Sequence, residues 1–344
     1  MTDAYRMAYE DTADRVPVLL IHGYPLNSTM WDLQVGDLCD VARIITPDLR
    51  GFGQSDPAPV PSGVGTYADD CASLLDDLGL TGPVVVGGLS MGGYVVFEFC
   101  RRYPERVAGL ILAATRAGAD SEDARKARDA AADTARANGV EAIAAGMLPK
   151  LLAPDTYEAA PELAAFVERM MRESSVAGVV VALAAMRDRP DSTPDLAELD
   201  VPALVIHGAE DQLIPRSEAE AMAAALPDVT FAVADGAGHL PNLEQPEFFS
   251  DTVREFLEWQ DVARIEVNAP DLPGVTIDVG ERRFYPDGDQ HAHVLGYVAA
   301  VSPDDLTGDP LLETPGFRIG RSGLEKKYDL ALRGEAGSSQ VEVN

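Results

Sequence analysis

Gly87-Gly88-Leu89-Ser90-Met91-Gly92-Gly93 decides how most of this 344-residue chain is read. An apolar, β-branched run, Pro83-Val84-Val85-Val86, precedes it, and a stretch of helical period from Tyr94 to Tyr103 follows. Strand, glycine turn and helix form the setting in which Gly-x-Ser-x-Gly presents a nucleophilic serine. Glycines at 88 and 92 fit a turn where a Cβ would strike the neighbouring strand and helix. Such a turn strains Ser90 and leaves its hydroxyl at the carboxyl end of the strand. The helix that follows aims its N-terminal amides and dipole at the same place. Outside this setting the motif would be a plain βα turn; within it, Ser90 is expected to react.

Farther out, strand-like apolar runs alternate with helical ones from about residue 15 to 260. The strands read as Val16–Ile21, Arg43–Thr46, Pro83–Val86, Val107–Leu112, Ala203–Ile206 and Thr230–Val233, with a short antiparallel pair starting at Tyr5–Tyr9. This is the pattern of a parallel sheet covered on both faces. Loops bearing Gly or Asp follow several strands and gather at the carboxyl edge, where open α/β sheets hold their sites. Between about Arg116 and Pro194 the alternation stops. Asp120–Asn138, with Ser121 as its cap, then Pro161–Glu173 and Ser174–Arg187 read as helices. This helical insertion, at about 116–194, is expected to cover the active edge. After Trp259 Pro and Gly become frequent, short β-like stretches such as Gly274–Val279 appear, and a domain boundary is placed near Asp261.

A composition 46% hydrophobic supplies a sizeable core. The formal charge of −30 repels nucleic acid and anionic membrane surfaces, so neither is expected as a partner. It also slows anionic substrates unless a local patch overrides it. Cys39, Cys71 and Cys100 show no paired or metal-like spacing, which suits reduced thiols in a cytoplasmic protein. Met1–Arg6 lacks the basic flank and apolar core of a signal peptide, and no apolar run is long enough to span a bilayer.

A serine nucleophile needs a general base, and the base an orienting acid. Of the five histidines, His239 sits in Asp235-Gly236-Ala237-Gly238-His239-Leu240-Pro241, directly after the last strand. The preceding strand leads into His207-Gly208-Ala209-Glu210-Asp211, which supplies Asp211 as the acid with Glu210 as its rival. Ser90, Asp211, His239 is the chain order expected when each residue follows a different strand. His207, at a strand end, is read as packing; His291 and His293 fall in the tail. For the oxyanion, one donor is the Met91 amide and the second comes from His22-Gly23-Tyr24-Pro25. Gly23 lets the backbone come close there, and the Tyr24 amide is the candidate donor. Gly23, Met30, Trp31, Arg116, Met147, Leu148, Met170 and Met186 are candidate pocket residues, with ordinary packing as the alternative for the apolar ones. Arg116, where the sheet hands over to the helical insertion, meets either a substrate carboxylate or a salt-bridge partner.

On these residues the first 260 positions resemble an α/β-hydrolase of the lidded esterase, enol-lactonase and haloperoxidase-like group. The matching text is His22-Gly23, Asp48-Leu49-Arg50-Gly51-Phe52-Gly53-Gln54-Ser55, Gly88-Leu89-Ser90-Met91-Gly92, Asp211 and Gly238-His239. The resemblance implies an α/β-hydrolase fold: a mostly parallel eight-stranded sheet, helices on both faces, a helical cap and Ser-His-Asp catalysis with no cofactor or metal. It favours Asp211 over Glu210, because Asp211 precedes Gln212-Leu213-Ile214-Pro215 as in that family. It gives Asp48–Ser55 a supporting role. Serine at position 90 argues against haloalkane dehalogenases and epoxide hydrolases, whose nucleophile is an aspartate. The expected reaction is cleavage of a small carboxylic ester or lactone through an acyl-enzyme. Carbon–carbon bond hydrolysis, cofactor-free perhydrolysis and ligand reception without turnover are the alternatives.

Residues 262–344 resemble a different protein. Arg282-Arg283-Phe284-Tyr285-Pro286-Asp287-Gly288, Ala292-His293-Val294-Leu295-Gly296-Tyr297-Val298, Ile319-Gly320-Arg321-Ser322-Gly323-Leu324-Glu325-Lys326, Leu332-Arg333-Gly334 and Val341-Glu342-Val343-Asn344 match the non-catalytic pedestal (dimerisation) module of class B penicillin-binding proteins of the cell-elongation type. Neither Ser-x-x-Lys nor Lys-Thr-Gly occurs, so penicillin binding is not expected. Without the membrane anchor and transpeptidase that flank the module there, the tail reads as a truncated α+β addition bringing no activity, with a docking module or cell-wall scaffold as the alternative.

Overall fold

The structure is a computed structural model that describes residues 6–12, 15–56, 63–268, 295–302, 305, 312 and 318–332. Seven strands form one sheet: β1 (Tyr9–Asp11), β2 (Val16–Ile21), β3 (Ala42–Pro47), β4 (Val84–Leu89), β5 (Val107–Ala113), β6 (Ala203–Gly208) and β7 (Val229–Ala234). Their order is β1-β3-β2-β4-β5-β6-β7, all parallel except β1, which pairs antiparallel with β3. The antiparallel margin is thus present, at Tyr9–Asp11. Among the described residues the sheet has seven strands where the resemblance implied eight. Its antiparallel edge is one three-residue strand, and residues 1–5 ahead of it lie outside the described residues.

The central strands are apolar at successive positions because both faces are buried. Val18, Leu20, Ile44, Val85, Ile111 and Leu204 pack with α1 (Asp32–Leu38) and α11 (Pro246–Asn268). The alternate residues Leu19, Ile21, Val84, Val86, Leu110, Leu112 and Val205 pack with α2 (Val64–Asp77), α3 (Met91–Arg102) and α9 (Arg216–Ala225). The chain passes from β2 outward to β3, then returns to β4 on the other side of β2. That reversal opens a crevice beyond the carboxyl ends of β2 and β4, the usual ligand site of such sheets. His22–Tyr24 leave β2 there, and Ser90 leaves β4.

Between β5 and β6 lie the cap helices α4 (Glu122–Asn138), α5 (Val140–Met147), α6 (Thr156–Ala159), α7 (Pro161–Arg172) and α8 (Val176–Arg187). The Ser121 hydroxyl accepts from the Ala124 N–H at 3.2 Å and Ser175 from the Gly178 N–H at 2.9 Å, so α4 and α8 start on serine caps. The cap is anchored to the loops after β2 and β3. Ser174 donates to the Pro25 carbonyl at 2.9 Å, Asn27 Nδ2 to Glu173 at 2.9 Å, and a Cβ on Gly178 would lie 2.2 Å from the Gly51 carbonyl oxygen. A short α10 (Pro241–Glu244) leads into α11, which continues through Asp261. Among the described residues no helix is long and apolar enough to cross a membrane.

By its contacts the chain divides into Met1–Val275 and Thr276–Asn344. In the second unit Val298–Ala300 pairs antiparallel with Arg318–Gly320, followed by helices at Gly323–Lys327 and Asp329–Leu332. Arg321 bonds Asp305 at 2.7 Å, and the Gly320 N–H donates to Asp329 at 2.7 Å. Arg282–Gly288, Val341–Asn344, Gly274–Val279, His291 and His293 lie outside the described residues.

Candidate active site

Ser90 stands at φ 55° and ψ −110°, a conformation that costs an L-residue about 1–3 kcal/mol. The surrounding backbone imposes it. The Ser90 N–H donates to Ala113 O at 2.9 Å, and its carbonyl accepts from the Gly93 N–H at 3.0 Å and the Thr115 hydroxyl at 2.8 Å. A Cβ on Gly88 would lie 2.3 Å from the Gly92 carbonyl carbon, and one on Gly92 only 2.2 Å from Ile21 O. The two glycines therefore let β2, β4 and α3 meet at the serine.

Asp211 and His239 meet across the ends of β6 and β7. His239 Nδ1 lies 2.7 Å from Asp211 Oδ2, and both side chains are buried. Asp211 Oδ1 accepts from the Leu213 and Ile214 N–H groups at 2.8 and 3.0 Å. Burial opposes the aspartate charge, but the imidazole and the two amides outweigh it and hold the carboxyl below its usual value. Glu210 is exposed. His207 packs behind the acid: its Nε2 meets the Ile214 carbonyl at 3.1 Å and Asp211 Oδ2 at 3.8 Å, and burial lowers its pKa. Among the described residues no direct hydrogen bond joins the Ser90 hydroxyl to His239. Such bonds are commonly long before a substrate is bound.

The loop after β2 is held rigidly. His22, fully buried, accepts the Leu49 N–H on Nε2 at 2.9 Å, which leaves Nδ1 to donate to Gly23 O at 2.9 Å. Burial holds its pKa down against the pull of Asp48, so the ring serves as a neutral brace. The Gly23 N–H donates to Met30 Sδ at 3.4 Å, which makes Met30 a loop support. An ideal Cβ on Gly23 would sit 3.7 Å from Ser90 Cβ, so this loop runs against the elbow. Neither the Tyr24 nor the Met91 amide donates to another described residue. Asp48 fastens the next loop, accepting the Ser28 and Gln54 N–H groups at 2.8 Å each, while Ser55 donates to its carbonyl at 2.6 Å.

The pocket candidates divide. Trp31 is fully buried against Phe249, with ring centroids 5.8 Å apart, and Met186 is buried in the core cluster on the α3 face. Met147 is partly buried between the two core clusters. Arg116 binds Asp120 at 2.8 Å, but in the interior: the Asp120 carboxylate is fully buried and also meets Arg189 at 2.7 Å and Arg128 at 3.1 Å. Three guanidiniums thus share one carboxylate. Arg189 also lies 4.0 Å over the Tyr94 ring, one helical turn beyond Ser90. The Tyr24 hydroxyl is buried without a partner among the described residues, its pKa pushed up by burial and drawn down by Arg128. Sequence reading missed Asp120, Arg128, Arg189 and Glu244. Arg189 lies 69 residues from Asp120, Glu244 reaches Ala153 and Thr156 across 91 and 88 residues, and Glu244, five residues beyond His239, has no periodic signal of its own.

A family model described as alpha/beta hydrolase fold matches residues 16–246, and the chain belongs to that family. A second, the penicillin-binding protein dimerisation domain, matches residues 150–344 and supports the pedestal-like tail; over 150–246 it overlaps the cap and the strands β6 and β7. A 3-oxoadipate enol-lactonase of Acinetobacter baylyi is 27% identical over 72% of this chain and 90% of its own. A 2-hydroxymuconate semialdehyde hydrolase of Pseudomonas is 29% identical over 76% and 93%. A thermophilic esterase from Thermogutta terrifontis, solved with malate bound, is 45% identical with a TM-score of 0.73, covering 74% of this chain and 94% of that one.

Proposed function

We propose that this member of the α/β-hydrolase family is a serine hydrolase that cleaves a small carboxylic ester or lactone. The observation that carries the reading is the buried Asp211–His239 pair, 2.7 Å apart, at the same sheet edge as a serine held at φ 55°. His239 Nε2 takes the Ser90 proton as the oxygen attacks the acyl carbon, and Asp211 holds Nδ1–H and stabilises the imidazolium. The oxyanion accepts from the Tyr24 and Met91 amides. An alcohol or enolate leaves with the proton from His239, and water, deprotonated by the same nitrogen, releases the acid. The enol-lactonase and esterase relatives support this substrate class. The tail adds no step to the chemistry.

Turnover of p-nitrophenyl acetate and butyrate, wild type beside Ser90→Ala, tests it. The variant should lose about 10⁴-fold or more in kcat. An inert wild type, or an active Ser90→Ala, overturns the reading.

A further inference from the structure

Glu244 takes part in none of these steps, yet its carboxylate ties together two segments that the reaction needs in register. Oε2 accepts from the Gly238 N–H at 2.7 Å, one residue before His239. Oε1 accepts from the Ala153 N–H, in the linker between α5 and α6 of the cap, and from the hydroxyl of Thr156, the first residue of α6, each at 2.7 Å. The linker is fastened twice more to the acid and base loops. The His239 N–H donates to Leu151 O at 2.9 Å, and Gln212 Nε2, beside Asp211, donates to Leu152 O at 3.3 Å. Gly238 fits so closely that a Cβ there would lie 2.5 Å from the Ala153 nitrogen. Burial raises the Glu244 pKa while these donors oppose it. Moving the linker therefore moves the backbone on which the imidazole hangs.

We propose that Glu244 is a positioning residue through which the cap linker Leu151–Thr156 sets the place of the His239 imidazole. Any opening of the cap then lies in the helices beyond the linker, because the linker itself is part of the base loop's seat. The inference rests on the hydrolase reading for what His239 does. Asp211 faces the base from the acid loop, with His207 behind it, and Tyr157 faces Glu244 from the cap.

The full-length chain is assayed on p-nitrophenyl butyrate across pH, with rates normalised to Ser90 labelled by a fluorophosphonate. Glu244→Gln keeps the size but turns an N–H against a backbone N–H in either amide orientation. It should lower kcat per labelled site about tenfold or more, leave KM within about threefold, and shift the acid limb of the pH profile of kcat/KM. Thr156→Val loosens only the cap side and should act in the same direction by about threefold. Unchanged kcat and pH profile in both variants, or a Glu244→Gln defect confined to the amount of labelled enzyme, overturns the proposal. The Nδ1–H proton resonance of the Asp211–His239 pair reads the same coupling without turnover and should shift in both variants; an unmoved resonance overturns it too. A wild type inert on every ester defeats the hydrolase reading alone, and the resonance then decides the coupling.

Discussion

Asp211 is the residue whose chemistry is most tightly specified. Its two oxygens have separate duties, Oδ1 for two loop amides and Oδ2 for the imidazole. In Asp211→Asn the amide oxygen suits Leu213 and Ile214, which turns the NH2 group toward His239 Nδ1. The ring must then carry its proton on Nε2 and cannot accept one from serine. We expect kcat to fall about 10⁴-fold with a near-normal fold, measured on p-nitrophenyl butyrate beside a circular-dichroism melt. A fall below about tenfold would refute the tautomer argument. The pH sign follows from the depressed carboxyl. Its stabilising contribution is complete above the usual carboxylate range of about pH 4 and is lost as pH falls through the lower folded value.

At the scale of elements, the elbow works because β2, β4 and α3 approach with no side chain between them. Gly92→Ala places a Cβ 2.2 Å from Ile21 O, a backbone atom in a strand that cannot yield locally. It should destabilise by about 1–3 kcal/mol and lower kcat through displacement of the Met91 amide. Gly146→Ala in α5 is the matched control. Nothing lies within 4 Å of its Cβ, so it should be neutral or stabilising by up to about 1 kcal/mol. Equal melting temperatures for the two variants would remove the steric argument. Such elements were legible in the sequence where period and punctuation coincide: β2 through β7, the elbow, and α4 behind Ser121. The brief α5, α6 and α10 carry too few turns to show a period. The bonds of Glu244 and the gathering of arginines on Asp120 were not legible. Glu244 reaches partners 91 and 88 residues away, and Asp120 meets Arg189 across 69, so only the fold brings these groups together.

Across the whole molecule, a formal charge of −30 opposes any anionic substrate, while Arg116, Arg128 and Arg189 gather on the single carboxylate of Asp120. Asp120 answers only one of the three charges on Arg116, Arg128 and Arg189, and Arg128 acts on the buried Tyr24 hydroxyl next to Gly23. The surface field is screened within about 8 Å at physiological salt, whereas the partly buried cluster is screened much less. The two fields therefore separate by ionic strength and by mutation. Wild type should hydrolyse the p-nitrophenyl hemiester of succinate at least as well as the neutral butyrate. Arg128→Met should lower kcat/KM for the hemiester about tenfold while leaving butyrate within about threefold, the size of one partly exposed charge contact. Added salt should then recover part of the loss, because only the repulsive outer field remains. An equal effect of Arg128→Met on both esters would make the cluster a clasp between cap and sheet with no say in substrate charge.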